Sequence, residues 1–299
     1  MTSEIMRHCC LCPRKCGADR TKTVGFCGES DKVRIARADL HKWEEPCISG
    51  SCGAGTVFFS GCSLKCCFCQ NYEISAQGKG FEISVEELAQ TFLMLQQKGA
   101  HNIDLVSPTH FVPQICDALD MIKSELRIPV VYNCGGYELP ETLELLGDRV
   151  SVFLPDLKFF DDELAQRCCL AGDYFENAMA AIEKMVSIAG KPQFDENGLI
   201  THGVIVRHLV LPNHRHDSIR LVNELAQRFE PSQLLISLMS QYVPLHKALE
   251  HSDLSRRTST FEYNSVLKEI EKVGFDGYFQ QRSSAEKEYI PIFFDKKYY

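Results

Sequence analysis

From residue 56 onward, short apolar runs alternate with stretches whose apolar positions recur at helical spacing. "TVFFSG" (56–61) is an apolar run closed by glycine, as a buried strand would be. Ser84 and Glu87 form a capping box. It opens a helix with the apolar face Val85, Leu88, Ala89, Phe92 and Leu95, stopped at Gly99. Further strands are predicted at 102–107, 129–133, 150–155, 203–211 and 234–239. Between and after them, helical spacing runs from Val112 to Leu126, after Pro140, and over 174–189, 218–229 and 259–273. Six strands, each followed by a helix, predict an α/β fold with a parallel sheet. Right-handed crossovers would curl that sheet into a partial (β/α)6 barrel. The aromatic tail "EYIPIFFDKKYY" is expected to pack back onto the barrel or close its open edge.

Composition changes this picture in one place. The 299 residues are 44% apolar and 24% charged, as in an ordinary globular chain, and suffice for one large domain plus a small one. A net charge of −8 with no long basic run argues against nucleic acid as a main partner. No apolar run reaches the roughly 18 residues of a membrane span, and "MTSEIMRHCC" lacks a signal core, so a cytoplasmic protein is expected. The exception is cysteine. Eleven of the fifteen fall within the first 69 residues, and an odd total in a reducing compartment speaks against disulfides. A boundary near residue 50 is expected, with a cysteine-rich metal-binding segment at 1–50 and the barrel at 51–299.

Crowded thiolates point to zinc or iron–sulfur. In "FFSGCSLKCCFCQN", Cys62, Cys66 and Cys69 follow the first predicted strand, at the barrel end where active sites sit. Three thiolates on a four-iron cube leave one iron free to chelate a small molecule through an amine and a carboxylate. Cys67 falls outside this spacing and reads as packing.

Cys62, Cys66 and Cys69, with Phe68 before the last, resemble the signature of radical S-adenosylmethionine (SAM) enzymes. The resemblance runs through the barrel, most closely to the pyruvate formate-lyase activating enzymes. It implies a [4Fe-4S] cluster that cleaves SAM to a 5′-deoxyadenosyl radical for hydrogen abstraction, with the cofactors carrying the hard chemistry. It also implies a low-potential flavodoxin or ferredoxin as electron donor, and a protein or peptide substrate. Asp156 and Lys158 of "DLK" look like the activase motif near the SAM carboxylate. Asn133 of "NCGG" stands where activases carry a turn. Arg207 and Leu209 of "RHLVLP" resemble the strand whose arginine approaches that carboxylate, and Tyr242 of "MSQYVP" would stack on adenine. The usual "GGE" is replaced by "SPTH", where Ser107 or Thr109 would offer oxygens to the SAM ammonium. His208, His214 and His216 surround the loop after strand five as candidates near substrate, and no chemistry is assigned to Trp43, Glu44 or Glu45.

The N-terminal "CCLCPRKCGADRTKTVGFCG" gives C-x2-C-x3-C-x10-C with Cys9, Cys12, Cys16 and Cys27. Four such thiolates satisfy tetrahedral zinc or a complete second [4Fe-4S] cluster. Cys10 is spare, and Cys47 and Cys52 are alternative ligands. Similar segments accompany activase-like members of the family. The expectations are therefore a glycyl-radical-activating enzyme, a radical SAM enzyme acting on another peptide or small molecule, or an iron–sulfur electron-transfer or metal-binding protein without SAM chemistry.

Overall fold

A computed structural model describes residues 2–280. The aromatic tail singled out above lies outside the described residues. In chain order the strands are β1 (Val33–His41), β2 (Ala54–Phe59), β3 (Phe81–Ile83), β4 (Ile103–Val106), β5 (Val130–Cys134), β6 (Val152–Pro155), β7 (Gln193–Phe194), β8 (Ile200–Leu209), β9 (Leu235–Met239) and β10 (Gly277–Phe279). The helices are α1 (Thr2–Arg7), α2 (Pro46–Ser49), α3 (Tyr72–Ser75), α4 (Val85–Gln97), α5 (Val112–Met121), α6 (Pro140–Glu144), α7 (Asp162–Cys169), α8 (Tyr174–Ala189), α9 (Arg215–Arg228) and α10 (Thr260–Val273).

The sheet order is β10-β9-β8-β6-β5-β4-β2-β1-β3. Along this path from β2 to β10 every neighbour is parallel, β7 pairs antiparallel with β8 off the path, and β1 pairs antiparallel with both β2 and β3. The six predicted strands are β2, β4, β5, β6, β8 and β9, each within a few residues of its expected bounds. Among the described residues β3 and β10 are not hydrogen-bonded to each other, so the sheet curls without closing. The predicted partial barrel is thus an α/β sheet with an open edge.

One face of the sheet packs on the helices. Phe92 of α4, Leu105 of β4, Tyr132 of β5, Phe153 of β6 and Ile182 of α8 are fully buried there. The concave face carries Ala54, Val131, Val152 and Ile205, which close on Cys47 and Ile48 of α2. The short helix α2 therefore plugs the barrel foot, and the Asn102 amide holds it by donating to Ile48 O at 2.7 Å. Cys47 is consumed by this apolar plug, and Cys52 is exposed beside His101, so neither joins the N-terminal cysteines.

The expected capping box is present: Ser84 accepts from Glu87 N, and Glu87 accepts from Ser84 N. Strand β1, within the 1–50 segment, is part of the main sheet rather than separate from it. Residues 2–31 contribute no strand and are anchored by the buried cluster Met6, Cys9 and Leu11.

Candidate functional site

The loop after β2 turns at Gly61, where φ is +78° and a Cβ would lie 2.9 Å from Cys27 O. Glycine is required there for both reasons. The turn delivers Cys62, Cys66 and Cys69 to the C-terminal end of the sheet. The end of α7 fixes the loop from below: Lys65 N donates to Cys169 O at 3.3 Å and Cys67 N to Cys168 O at 2.8 Å. Cys67 is buried and its thiol pairs with that of Cys168, which fits a packing role.

The three thiols of the triad sense one another. Burial, then Cys66, pushes Cys62 up to about 12 and Cys69 up to about 11. Cys66 is raised by its hydrogen bond with Cys169 and by burial. Bare thiols here stay protonated; a bound metal deprotonates them and relieves their repulsion. Leu64 N donates to Cys62 Sγ at 3.4 Å, and Ser75 Oγ lies 3.2 Å from Cys69 Sγ. Among the described residues no three His, Cys, Asp or Glu side chains are gathered tightly enough to hold a single metal ion. Three cysteine thiols at the end of a sheet, two of them lining one cavity, are the donor set that an iron–sulfur cluster takes.

Beside the triad, strand ends assemble a charged network. Asp156 forms a parallel bridge with Arg207, and Asn133 sits at the end of β5. Arg207 donates to Asp156 Oδ1 at 2.9 Å, to Glu44 Oε2 at 3.2 Å and to Asn133 Oδ1. Lys158 pairs with the other oxygen of Asp156. Burial alone would raise Asp156, but Arg207 and Lys158 outweigh it and hold the carboxyl below its usual range. Burial wins at Glu44, Glu45 and Asp104, whose carboxyls are all raised.

A cavity of about 240 Å³ lies between the triad and this network. Its lining includes Cys66 and Cys69, and of the predicted cofactor residues Phe68, Asn133, Asp156, Lys158, Arg207, Leu209 and Tyr242. Phe68 meets Tyr242 edge-on with centroids 5.7 Å apart. The Tyr242 hydroxyl is turned away, donating to Leu254 O at 2.8 Å. Trp43, 59% exposed, stands at the rim.

Two predicted cofactor residues are not in the lining, and of the triad Cys62 is not. Ser107 takes φ +57° and donates its amide to Asn133 O, which starts a 3-10 turn at Thr109–Phe111. Thr109 is thereby buried, and its hydroxyl donates to Glu138 Oε1 at 2.7 Å. The SAM-ammonium role expected of Ser107 or Thr109 is therefore corrected: the Thr109 hydroxyl is engaged by Glu138, and Ser107 lies outside the cavity lining. The histidines are also elsewhere. His208 is buried against Leu157 O, His214 bonds Asp253, and His216 is exposed.

Glu44 is the functional residue that sequence reasoning missed. It lines the cavity and reaches Arg207 across 163 residues. No local pattern separates it from Glu45 beside it. Tyr174 was missed too. Its hydroxyl lies 2.9 Å from Gly135 O and 2.8 Å from Asp156 O and accepts from Lys158 N at 3.0 Å, tying two site loops together.

Comparison with known proteins agrees with this geometry. The family model for the radical SAM superfamily matches residues 56–223. The uncharacterized protein MJ0674 of Methanocaldococcus jannaschii is 29% identical over 285 residues, covering 92% of this chain and 78% of that protein. Among solved structures, a radical SAM methyltransferase from Sphaerobacter thermophilus matches with TM-score 0.51 and 15% identity, over 76% of this chain and 66% of that one. The FeFe-hydrogenase maturase HydG from Carboxydothermus hydrogenoformans matches with TM-score 0.52 and 13% identity, over 78% of this chain and 55% of that one. This chain thus spans between half and two thirds of those two proteins, and at such identities they share the fold alone. With a matched segment that spans more than half of the chain and carries the cysteine triad, this protein belongs to the radical SAM superfamily, and so is an enzyme of a family that works with a [4Fe-4S] cluster and SAM.

Proposed function

We propose that Cys62, Cys66 and Cys69 hold the catalytic cluster and that SAM binds in the adjoining cavity. The enzyme then abstracts hydrogen from a polypeptide partner, as a glycyl-radical-activating enzyme of the pyruvate formate-lyase activating type does. One observation carries this reading: a single cavity joins the cysteine loop, the Asp156–Lys158–Arg207 network and a rim at Trp43. Together, cluster and SAM supply one-electron reductive cleavage of a carbon–sulfur bond, the source of hydrogen-abstracting power.

The chain's own residues position and shield. Arg207 and Lys158 are the cations that face the SAM carboxylate, and Asn133 steadies Arg207. Glu44 offers its carboxylate to the ammonium, in place of Ser107 or Thr109. Phe68, Leu209 and Tyr242 form an apolar wall that keeps water from the reacting atoms. The exposed rim at Trp43 is where a chain segment would approach. A low-potential flavodoxin or ferredoxin serves as electron donor.

Anaerobic protein with SAM and dithionite is expected to release 5′-deoxyadenosine, read by chromatography. Alanine at Cys62, Cys66 or Cys69 abolishes it, whereas Cys67→Ala retains it. Full product from Cys66→Ala would sink the cluster assignment. Glu44→Gln should weaken SAM binding about tenfold, one charge-assisted hydrogen bond's worth, with iron content unchanged. The activase reading requires a persistent paramagnetic doublet on a glycyl-radical enzyme partner, collapsing in deuterated solvent. Its absence with every such partner, alongside normal 5′-deoxyadenosine release, would exclude activation while leaving SAM cleavage intact.

A further inference from the structure

Arg20 is completely buried, and no carboxylate forms a salt bridge with it among the described residues. Its guanidinium donates to Glu29 O at 3.1 Å, to Ser30 O and His110 O at 2.5 Å each, and to Cys9 Sγ at 3.7 Å. Carbonyls satisfy its hydrogen bonds but not its charge, and a buried cation demands an anion. Asp19, beside it in sequence, is paired with Lys22, and the buried Glu29, although it feels Arg20, forms its ion pair with Arg34. The N-terminal sulfurs, with Cys9 Sγ in contact with the guanidinium, are further groups able to carry negative charge at Arg20, and thiolates persist in a buried site when a metal holds them.

The geometry of those sulfurs repeats that of the triad. The amide two residues on faces the sulfur at Cys12 (from Arg14), Cys16 (from Ala18) and Cys27 (from Glu29). The same turn recurs at Cys62 (from Leu64) and Cys69 (from Asn71). Cys134 shares this turn without neighbouring cysteines of that kind, so the turn alone is no site; four converging cysteines beside a buried cation are. Sγ of Cys16 and of Cys27 both approach Gly25, to 3.5 and 3.4 Å from where its Cβ would stand.

The two cysteine sets also touch. Cys62 N donates to Cys27 O at 3.3 Å, and Lys65 Nζ caps the same carbonyl at 3.3 Å. Arg14 bridges further, donating to Ser63 O at 2.9 Å and Cys169 O at 3.2 Å. A path of a few covalent bonds and one hydrogen bond therefore runs from the sulfur of Cys27 to that of Cys62. The surface of this segment is also basic for this chain: with the buried Arg20 and Glu29 set aside, residues 7–34 present six Lys and Arg against two Asp, while the whole carries −8.

We propose that Cys9, Cys12, Cys16 and Cys27 ligate a second [4Fe-4S] cluster, and that it relays electrons to the catalytic cluster through the Cys27–Cys62 contact. The donor is an acidic one-electron carrier protein, iron–sulfur or flavin, that docks on the basic N-terminal face. One electron enters the second cluster and one leaves it for the first; no bond is made or broken. The second cluster stands on the residues above, whereas the relay rests on the triad assignment.

The test compares anaerobically reconstituted wild type with Cys9→Ser/Cys12→Ser, with Cys62→Ser/Cys66→Ser/Cys69→Ser, and with the exposed Cys10→Ser as control. About eight irons are expected in wild type and control, and about four in each of the other two. Reduced wild type should show an electron paramagnetic resonance spectrum broadened by interaction between two clusters, and both depleted variants a simple one. Stopped-flow reduction of the catalytic cluster by reduced ferredoxin should slow at least tenfold in Cys9→Ser/Cys12→Ser. Reduction by dithionite, which needs no docking face, should change less than twofold, and that result also shows that the variant is folded. About four irons with one zinc in wild type would overturn the second cluster. Equal ferredoxin rates in wild type and variant would overturn the relay. Loss of no iron in the triple variant would instead refute the triad assignment and leave the N-terminal cluster standing.

Discussion

Arg207 shows how single residues set the site. It is the hub at which Asp156, Glu44 and Asn133 meet, on strands and loops far apart in sequence. Removing it would strip Glu44 of its ion pair and leave Asp156 to Lys158 alone, a loss of about 3–5 kcal/mol for a buried pair. Arg207→Gln is therefore expected to lower the free energy of unfolding by about that much in urea titration, before any effect on catalysis. Glu138 predicts a pH dependence. It is buried between Thr109 and Tyr132, and burial lifts its carboxyl from 4.5 to about 7. The folded protein thus keeps a proton that the unfolded chain has lost. Its contribution to stability is full below about pH 4.5, falls as pH rises and is gone above about 7. Glu138→Gln should flatten that part of the stability profile, seen as a wild-type-minus-variant difference that declines from pH 4.5 to 7.5. A difference independent of pH would show that the carboxyl is ionised throughout.

At the scale of elements, the site depends on turns at strand ends more than on the strands. The turn after β5 is held by Gly136, at φ +80°, where a Cβ would stand 2.0 Å from Asp156 O. That clash is with backbone, so no side-chain rotation relieves it. Gly136→Ala should destabilise by more than about 2 kcal/mol and reduce SAM affinity with it, because Asp156 is displaced. Unchanged thermal unfolding would mean that the turn can shift freely. The elements themselves were largely legible: α8 was expected at 174–189 and is found at Tyr174–Ala189. The fifteen-residue spacing from Val112 was over-read, since α5 ends at Met121. Ile122 and Leu126 are apolar because they meet neighbouring elements from the following loop, where apolar spacing does not require helix.

At the scale of the molecule, the sheet gathers residues from His41 to Val243 around one cavity. Trp43 stands at the rim beyond the charged network. Trp43→Ala should leave SAM affinity within about twofold yet depress substrate-dependent turnover about tenfold, a gap of ~1.4 kcal/mol that separates rim from cofactor site. Equal losses in both would place Trp43 in the cofactor site. Among the described residues no helix is long and apolar enough to cross a membrane. The sequence by itself determined the cysteine triad, its place after a strand, and the strand–helix alternation that curls the sheet. Each is a local signal: ligand spacing, periodicity or a cap within a few residues. Only the tertiary structure decided that Glu44 reaches Arg207, that Thr109 turns inward to Glu138, that β1 joins the sheet, and that Cys27 meets Cys62. Those are contacts between distant segments, fixed by packing and by the need to pair buried charge, and no spacing along the chain encodes them.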